Sequence, residues 1–248
     1  MSLFQGLSDD GLEQAQDRLG GFQPLNTNIY TTKIKAAYAG KAASGAMSVT
    51  IMADIDGKEY RETIYITNKA GENFFYNKTD PKKKVPLPGF TTINDLCLIA
   101  CDKPLSQMQT EEKIIKLYDP EAKQEVPKPV QMLVELLGKD VSLGIVRQIE
   151  NKSVKDASGK YVATPETREV NTIEKVFHPE LKLTIPEAQN GKSKGEFWDA
   201  WLERNKDQVR DKREIKDGSA GSAGAPRTPP AATNTQAAPK QSLFGNKK

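Results

Sequence analysis

Apolar and polar side chains alternate along the first part of the chain, which is the pattern of strands with one buried face. Between two of these stretches, Asp56 and Gly57 form a residue pair favoured in tight hairpin turns. In the first stretch, the alternation assigns Ile34 and Tyr38 to one face. The pattern therefore predicts a three-stranded antiparallel meander, with strands at residues 28–38, 46–55 and 58–67.

The rest of the chain has shorter apolar stretches, which predict isolated elements. Residues 130–137 are mostly apolar and fit either a strand or a helix. Residues 151–161 are polar, include several lysines and predict a loop. Trp198 and Trp201 have the i, i+3 spacing of a helix that docks on the sheet. The predicted helices span residues 92–101 and 195–209, and the predicted strands span 113–119, 141–150, 173–177 and 181–185.

Composition divides the chain into three regions. Residues 1–26 are polar and predict an N-terminal arm. Residues 211–248 form a tail rich in small and polar residues, which cannot bury enough apolar surface to order a chain, so we expect a disordered tail. Residues 27–210 predict a mainly β domain with a few helices. An OB-like, partly open antiparallel barrel and a small sandwich both fit this domain.

Charge and hydropathy exclude several classes of protein. The formal net charge is +3, from 36 basic and 33 acidic side chains, so binding driven by bulk charge is excluded and a local basic groove is not. The mean hydropathy is −0.61, and no apolar run approaches the roughly 20 residues that cross a membrane. The first residues lack the pattern of a secretory signal. We therefore expect a cytoplasmic protein with no membrane partner.

Few residues of the chain suit catalysis or metal binding. Cys97 and Cys101 have a helical spacing rather than that of a zinc knuckle, and His178 is the single histidine. Zinc sites need three or four protein ligands, and a nucleophilic triad would have to use His178. No glycine-rich phosphate-binding motif is present. We therefore expect a non-catalytic protein without a metal or cofactor.

Aromatic and basic side chains are interleaved on the predicted meander and on the loop after it. This combination suits single-stranded nucleic acid, because rings stack on unpaired bases while cations contact phosphates. Phe74, Phe75 and Tyr76 are the sharpest signal, since neighbours in an extended chain face opposite ways and cannot all be buried. For each ring the alternative is a place in the core. The candidate binding residues are Tyr30, Lys33, Lys35, Tyr38, Lys58, Arg61, Tyr65, Phe74, Phe75, Tyr76, Lys78, Lys82, Lys83, Lys84, Arg147 and Lys152.

Five longer strings stand out: YTTKIKAAY at 30–38, GKEYRETIYITN at 57–68, VPLPGF at 85–90, LLGK at 136–139 and KVFHP at 175–179. Together they resemble the single-stranded DNA-binding proteins encoded by lytic tailed bacteriophages. The resemblance extends over roughly residues 28–205. It implies an OB-like fold and non-catalytic coating of single-stranded DNA in phage DNA replication, recombination and repair, in the cytoplasm of the host cell.

The tail departs from this resemblance. Many phage and bacterial proteins of this function end in an acidic tail that recruits replication proteins, whereas residues 211–248 hold seven basic and three acidic side chains, a net charge of +4. Such a tail cannot mimic the charge of DNA. Leu243 and Phe244 are large apolar residues in a segment that cannot bury them, so they are candidate contacts for a replication or transcription protein. A second hypothesis is therefore a β-barrel adaptor that recruits such proteins through its tail.

Overall fold

The computed structural model of the chain describes residues 24–119, 121–157 and 159–215. Within these ranges the fold is mainly β, as predicted, with three α-helices and one large, mostly antiparallel sheet. Most of the predicted N-terminal arm and tail, including Leu243 and Phe244, lies outside the described residues. The elements are β1 (Asn28–Lys41), β2 (Met47–Ile55), β3 (Lys58–Tyr65), β4 (Phe74–Tyr76), β5 (Lys84–Pro86), α1 (Pro88–Cys101), β6 (Thr110–Asp119), β7 (Gln124–Leu133), β8 (Asp140–Lys155), β9 (Tyr161–Phe177), α2 (Ile185–Gln189), α3 (Phe197–Asn205) and β10 (Val209–Asp211).

β1 is the central strand, because it has partners along both edges. One edge of β1 pairs with β2. The other edge pairs first with β8, where Lys33 lies opposite Asp140. Further along the same edge, Tyr38 pairs with β7. The register to β2 shifts between Ile34 and Ala36. The prediction that Ile34 and Tyr38 share a face is wrong for this reason. Ile34 belongs to the main core and Tyr38 to a separate cluster.

The sheet is not closed into a barrel. Its strands follow the order β3-β2-β1-β8-β9, with β10 parallel to part of β8 and a β6–β7 hairpin attached to β1 through β7. β3 and β9 run in the same direction at the two ends of this order. Among the described strands, none pairs with the outer edge of either. The predicted meander is confirmed as β1, β2 and β3, and it belongs to an open sheet.

The main core lies between the sheet and α1. Pro88 stands in the first turn of α1, where a missing N–H costs no intrahelical bond, and Asp102 ends the helix in the left-handed conformation, with φ 56°. The buried face of α1, which includes Ile93 and Leu96, packs against apolar side chains of β1, β2, β3, β8 and β9. The predicted helix is confirmed, although it begins at Pro88 rather than at residue 92.

α3 covers a second small core. Trp201 is 4% exposed and packs with Val146 and Phe177, and its indole N–H donates to Glu174 at 3.0 Å. The helix docks on the sheet as its tryptophan spacing predicts. It is shorter than predicted, because Asp207 adopts a left-handed φ of 60° and β10 follows at once.

Two predicted segments have a different structure. Residues 151–161 are not a loop: β8 continues to Lys155 and β9 begins at Tyr161, so the two strands extend as a two-stranded ribbon. Hydrophobic periodicity detects a strand only when one face is buried, and this ribbon is largely exposed. Residues 181–185 do not form a strand, and α2 begins at the last of them.

The β6–β7 hairpin packs on β1. Ile115 and Leu117 of β6 contact the cluster that contains Tyr38. The strand predicted at residues 113–119 is confirmed within β6. The ambiguous segment 130–137 divides between the end of β7 and a short 3-10 turn, because the chain must bend there to pass from β7 to β8 along the same edge of β1.

Candidate nucleic-acid interface

The β4–β5 hairpin presents the three consecutive aromatic residues in two directions. Phe75 lies opposite Val85, and Tyr76 lies opposite Lys84. Because neighbouring side chains in a strand alternate, Phe75 is on one face and Phe74 and Tyr76 are on the other. Phe75 is 44% exposed and Tyr76 is 53% exposed. The prediction that at least one of these rings is exposed is confirmed.

A lysine contacts this aromatic group. The Nζ of Lys84 lies 4.1 Å from the centre of the Phe74 ring, a distance suited to a cation–π interaction. Phe74 and Tyr76 meet edge to face, with ring centres 5.5 Å apart. These contacts fix the orientation of Tyr76 while leaving half of its surface exposed.

The loop between β4 and β5 holds the other predicted lysines. The Asn77 N–H donates to the Lys83 carbonyl at 2.9 Å, which closes the loop. The Lys83 ammonium lies 3.5 Å from the Asp80 carboxylate. Lys78 and Lys82 are exposed and have no ion-pair partner among the described residues. The hairpin therefore combines exposed rings with cations whose charge is not compensated locally.

The outer face of β2 and β3, which points away from the main core, adds a further cation and ring. Arg61 is exposed, and its guanidinium donates to the Tyr38 hydroxyl at 2.7 Å. Tyr65, at the end of β3, is 55% exposed. Tyr38 is only 5% exposed, so its predicted role in base stacking is wrong. Its hydroxyl holds the Arg61 guanidinium instead.

Tyr65 lies next to the base of the β4–β5 hairpin. The Leu87 N–H donates to the Asn73 carbonyl at 2.9 Å, which extends the hairpin below its paired residues. A side chain at Gly89 would come within 2.1 Å of the Tyr65 carbonyl oxygen, so only glycine permits this contact between α1 and β3. Arg61 and Tyr65 therefore lie on the strand that leads into the hairpin.

Several predicted cations lie elsewhere and are paired with carboxylates. These residues are on β1 and β8, and their charges are compensated in the folded protein. Tyr30 of β1 is half-buried, and its hydroxyl donates to the Asn26 carbonyl at 2.7 Å. Lys58, in contrast, has no ion-pair partner in the described chain. The pairs are Lys33–Asp140 at 2.7 Å, Lys35–Asp54 at 2.9 Å, Arg147–Glu169 at 2.5 Å and Lys152–Glu166 at 3.0 Å.

A cleft of about 530 Å³ separates β3 from β9. Glu62 bridges the two strands, because its carboxylate accepts from the Ile173 N–H at 2.8 Å and from the Tyr60 hydroxyl at 2.7 Å. Burial raises the pKa of Glu62 to about 7, against the lowering effect of these two hydrogen bonds. The cleft is lined by Leu25, residues 58–63 and residues 168–171.

The predicted set lacks three exposed aromatic residues of the described chain, Tyr118, Tyr161 and Phe197. Tyr161, at the tip of the β8–β9 ribbon, is 70% exposed, and the Lys155 Nζ lies 5.5 Å from its ring centre. This arrangement resembles the ring and lysine of the β4–β5 hairpin. The residues before Tyr161 are mostly polar and predict a loop, and only the pairing of β8 with β9 brings the lysine to the ring.

Comparisons with known proteins do not identify a family. No protein-family model matches the chain, and no curated protein matches it. Within the described ranges, no group of His, Cys, Asp and Glu side chains is arranged to hold a metal ion. No helix in the same ranges is long and apolar enough to cross a membrane.

Proposed function

We propose that the protein binds and coats single-stranded DNA without sequence preference, as a non-catalytic protein of phage DNA replication, recombination and repair. The observation that carries this proposal is the β4–β5 hairpin, where Phe75 and Tyr76 expose their rings beside uncompensated lysines. Arg61 and Tyr65 add an exposed cation and an exposed ring on β3, the strand that leads into the hairpin. The sequence resemblance to phage single-stranded DNA-binding proteins supports the same function.

Each of these groups suits one part of a single strand. A ring that stacks on an unpaired base contributes roughly 1–3 kcal/mol, whatever the base, because every base has an aromatic face. Lysine and arginine side chains attract the phosphates between the bases. A duplex keeps its base faces stacked inside, so it offers nothing to Phe75 or Tyr76. The surface therefore favours single strands over duplex DNA.

The strand order supports an OB-like interpretation of the fold. In chain order, β1, β2, β3 and the β4–β5 hairpin precede α1, and β8 and β9 follow the β6–β7 hairpin. β3 and β9 run in the same direction and are bridged by Glu62, as in a barrel that stays partly open. OB folds bind oligonucleotides on the face of their second and third strands. Arg61 and Tyr65 lie on that face.

Binding to oligo(dT) should weaken steeply as salt concentration rises. For single strands the log–log slope is about −0.7 per neutralised phosphate, so roughly four to six contacts give a slope of about −3 to −4. Titration of the intrinsic tryptophan and tyrosine fluorescence at several salt concentrations measures it. A slope near zero would contradict an electrostatic surface. Little quenching and no dependence on oligonucleotide length would favour the adaptor hypothesis instead.

Two neighbouring lysines provide a matched test of the same surface. Lys82→Ala removes an uncompensated cation and should reduce the salt slope by about 0.7. Lys83→Ala should reduce it by less, because Asp80 already compensates part of the Lys83 charge. Equal slopes for wild type and both variants would place the phosphate contacts away from the hairpin.

A further inference from the structure

β6 has a free edge. It pairs with β7 along its whole length and with no other strand of the described chain. The face of β6 opposite Ile115 and Leu117 carries Ile114, which is 73% exposed, and Tyr118, which is 58% exposed. A long strand with unpaired backbone groups and exposed apolar side chains is a template for pairing with another strand.

The free edges of β7 and β3 are protected. Pro127 and Pro129 of β7 lie opposite Lys116 and Ile114 of β6. Proline has no N–H, so these residues fit the positions of β7 that point away from β6, where they remove donors from the free edge of β7. β3 and β9 face each other across the cleft. The edge of β6 has neither of these protections.

The prolines also define which backbone groups β6 offers. Positions in an antiparallel pair alternate between those bonded to each other and those that point outward. Since Pro127 and Pro129 point away from β6, the residues opposite them, Lys116 and Ile114, direct their N–H and C=O groups to the free edge. By the same alternation, the backbone N–H and C=O groups of Thr110, Glu112 and Tyr118 also point to the free edge.

We propose that β6 pairs antiparallel with β6 of a second copy of this chain, about a two-fold axis at Ile114. In this register, Glu112 of each copy lies opposite Lys116 of the other, and Thr110 lies opposite Tyr118. The Ile114 side chains of the two copies meet at the axis. Glu112 and Lys116 have no ion-pair partner within the described chain, so both charges are available. The surface is self-complementary, as a two-fold interface requires.

Neighbouring registers are less favourable. A register in which an outward-pointing residue meets an inward-pointing one cannot form the backbone ladder. The next registers that keep the ladder place Ile114 opposite either Glu112 or Lys116. Both lose the two charge pairs and leave a charged side chain against an apolar one. Charge complementarity therefore selects the register centred on Ile114.

Sedimentation velocity of the full chain, without DNA, tests this interface. The wild type should form a dimer whose fraction rises with protein concentration. Glu112→Lys and Lys116→Glu should each weaken the dimer by about tenfold or more, because two opposite-charge pairs become two like-charge pairs. The double variant Glu112→Lys/Lys116→Glu restores both pairs and should dimerise like the wild type. A wild type that stays monomeric, or single variants that dimerise normally, would overturn the proposal.

Disulfide cross-linking gives an independent measurement. Residues that exchange hydrogen bonds across an antiparallel pair have Cα atoms about 5.5 Å apart, which suits a disulfide. Ile114→Cys should therefore give a covalent dimer under mild oxidation. Val154→Cys, at a site that is 51% exposed on the β8–β9 ribbon, is the matched control and should give no covalent dimer. Equal cross-linking of both variants would show random collision. The interface needs no DNA, so its failure would leave the proposed DNA binding untouched.

Discussion

Tyr76→Ala and Phe75→Ala should each weaken binding to oligo(dT) by about 1–3 kcal/mol, the contribution of one base stack. The two rings are 53% and 44% exposed, and neither belongs to a core cluster of the described chain. The melting temperatures of both variants should therefore stay close to that of the wild type. Fluorescence titration and thermal unfolding followed by circular dichroism measure the two quantities.

Tyr161→Ala is the matched control for these variants. Tyr161 is also an exposed ring with a lysine above it, but it lies at the tip of the β8–β9 ribbon rather than on the β4–β5 hairpin. Its loss should change oligo(dT) binding less than the loss of Tyr76. If Tyr161→Ala alone weakens binding, the ribbon is the interface and the hairpin is not. If the hairpin variants unfold at much lower temperature, their rings are structural.

Glu62→Gln should stabilise the protein at alkaline pH by about 3 kcal/mol. Burial raises the pKa of Glu62 from 4.5 to about 7. The unfolded chain releases this proton near pH 4.5, while the folded chain holds it until about pH 7. Between these values the folded state binds more protons, so wild-type stability falls as pH rises through this window. Glutamine stays neutral and keeps an oxygen that accepts the Ile173 N–H.

Urea unfolding at about pH 5 and about pH 9 measures this difference. The variant and the wild type should have similar stability at the lower pH and diverge at the higher. Asp95→Asn is a useful comparison, because burial raises the pKa of Asp95 from 3.8 to about 6, against the lowering effect of Lys175. Its stabilising effect should be complete at a lower pH than that of Glu62→Gln. A Glu62→Gln protein no more stable than wild type at about pH 9 would show that this carboxyl ionises freely.

The meander could be predicted from sequence because its core is built on simple alternation. Val49, Ile51 and Ala53 face the same core at every second position, and the turn after Ile55 has its own signal. The register shift in β1 could not be predicted. Ala36, Ala37 and Tyr38, directly after the shift, are all buried although neighbouring residues face opposite ways, so the shift leaves no trace in the hydrophobic pattern. The position of Tyr38 depends on that shift.

For the candidate site, the sequence predicts the exposed rings but not the pairing of the lysines. The exposure of Phe75 or Tyr76 follows from strand geometry alone, because three neighbouring rings cannot share one core. The compensation of Lys33 by Asp140 depends on strand pairing between residues 107 positions apart, which no local pattern reveals. The ribbon that carries Tyr161 was also hidden, since strands exposed on both faces have no hydrophobic period.

The central place of β1 has a consequence for folding during synthesis. Its first half pairs with β8, and the side chains of Thr31 and Ser142, in contact across that pair, are separated by 111 residues. At about 5–20 residues per second, β1 emerges roughly 5–20 s before this partner strand. β2 can pair with the second half at once, but the first half, residues 28–33, has no paired strand until β8 is made. Lys33 ends this waiting segment and Lys35 follows it, and such charges hinder aggregation of nascent strands before the native sheet is complete.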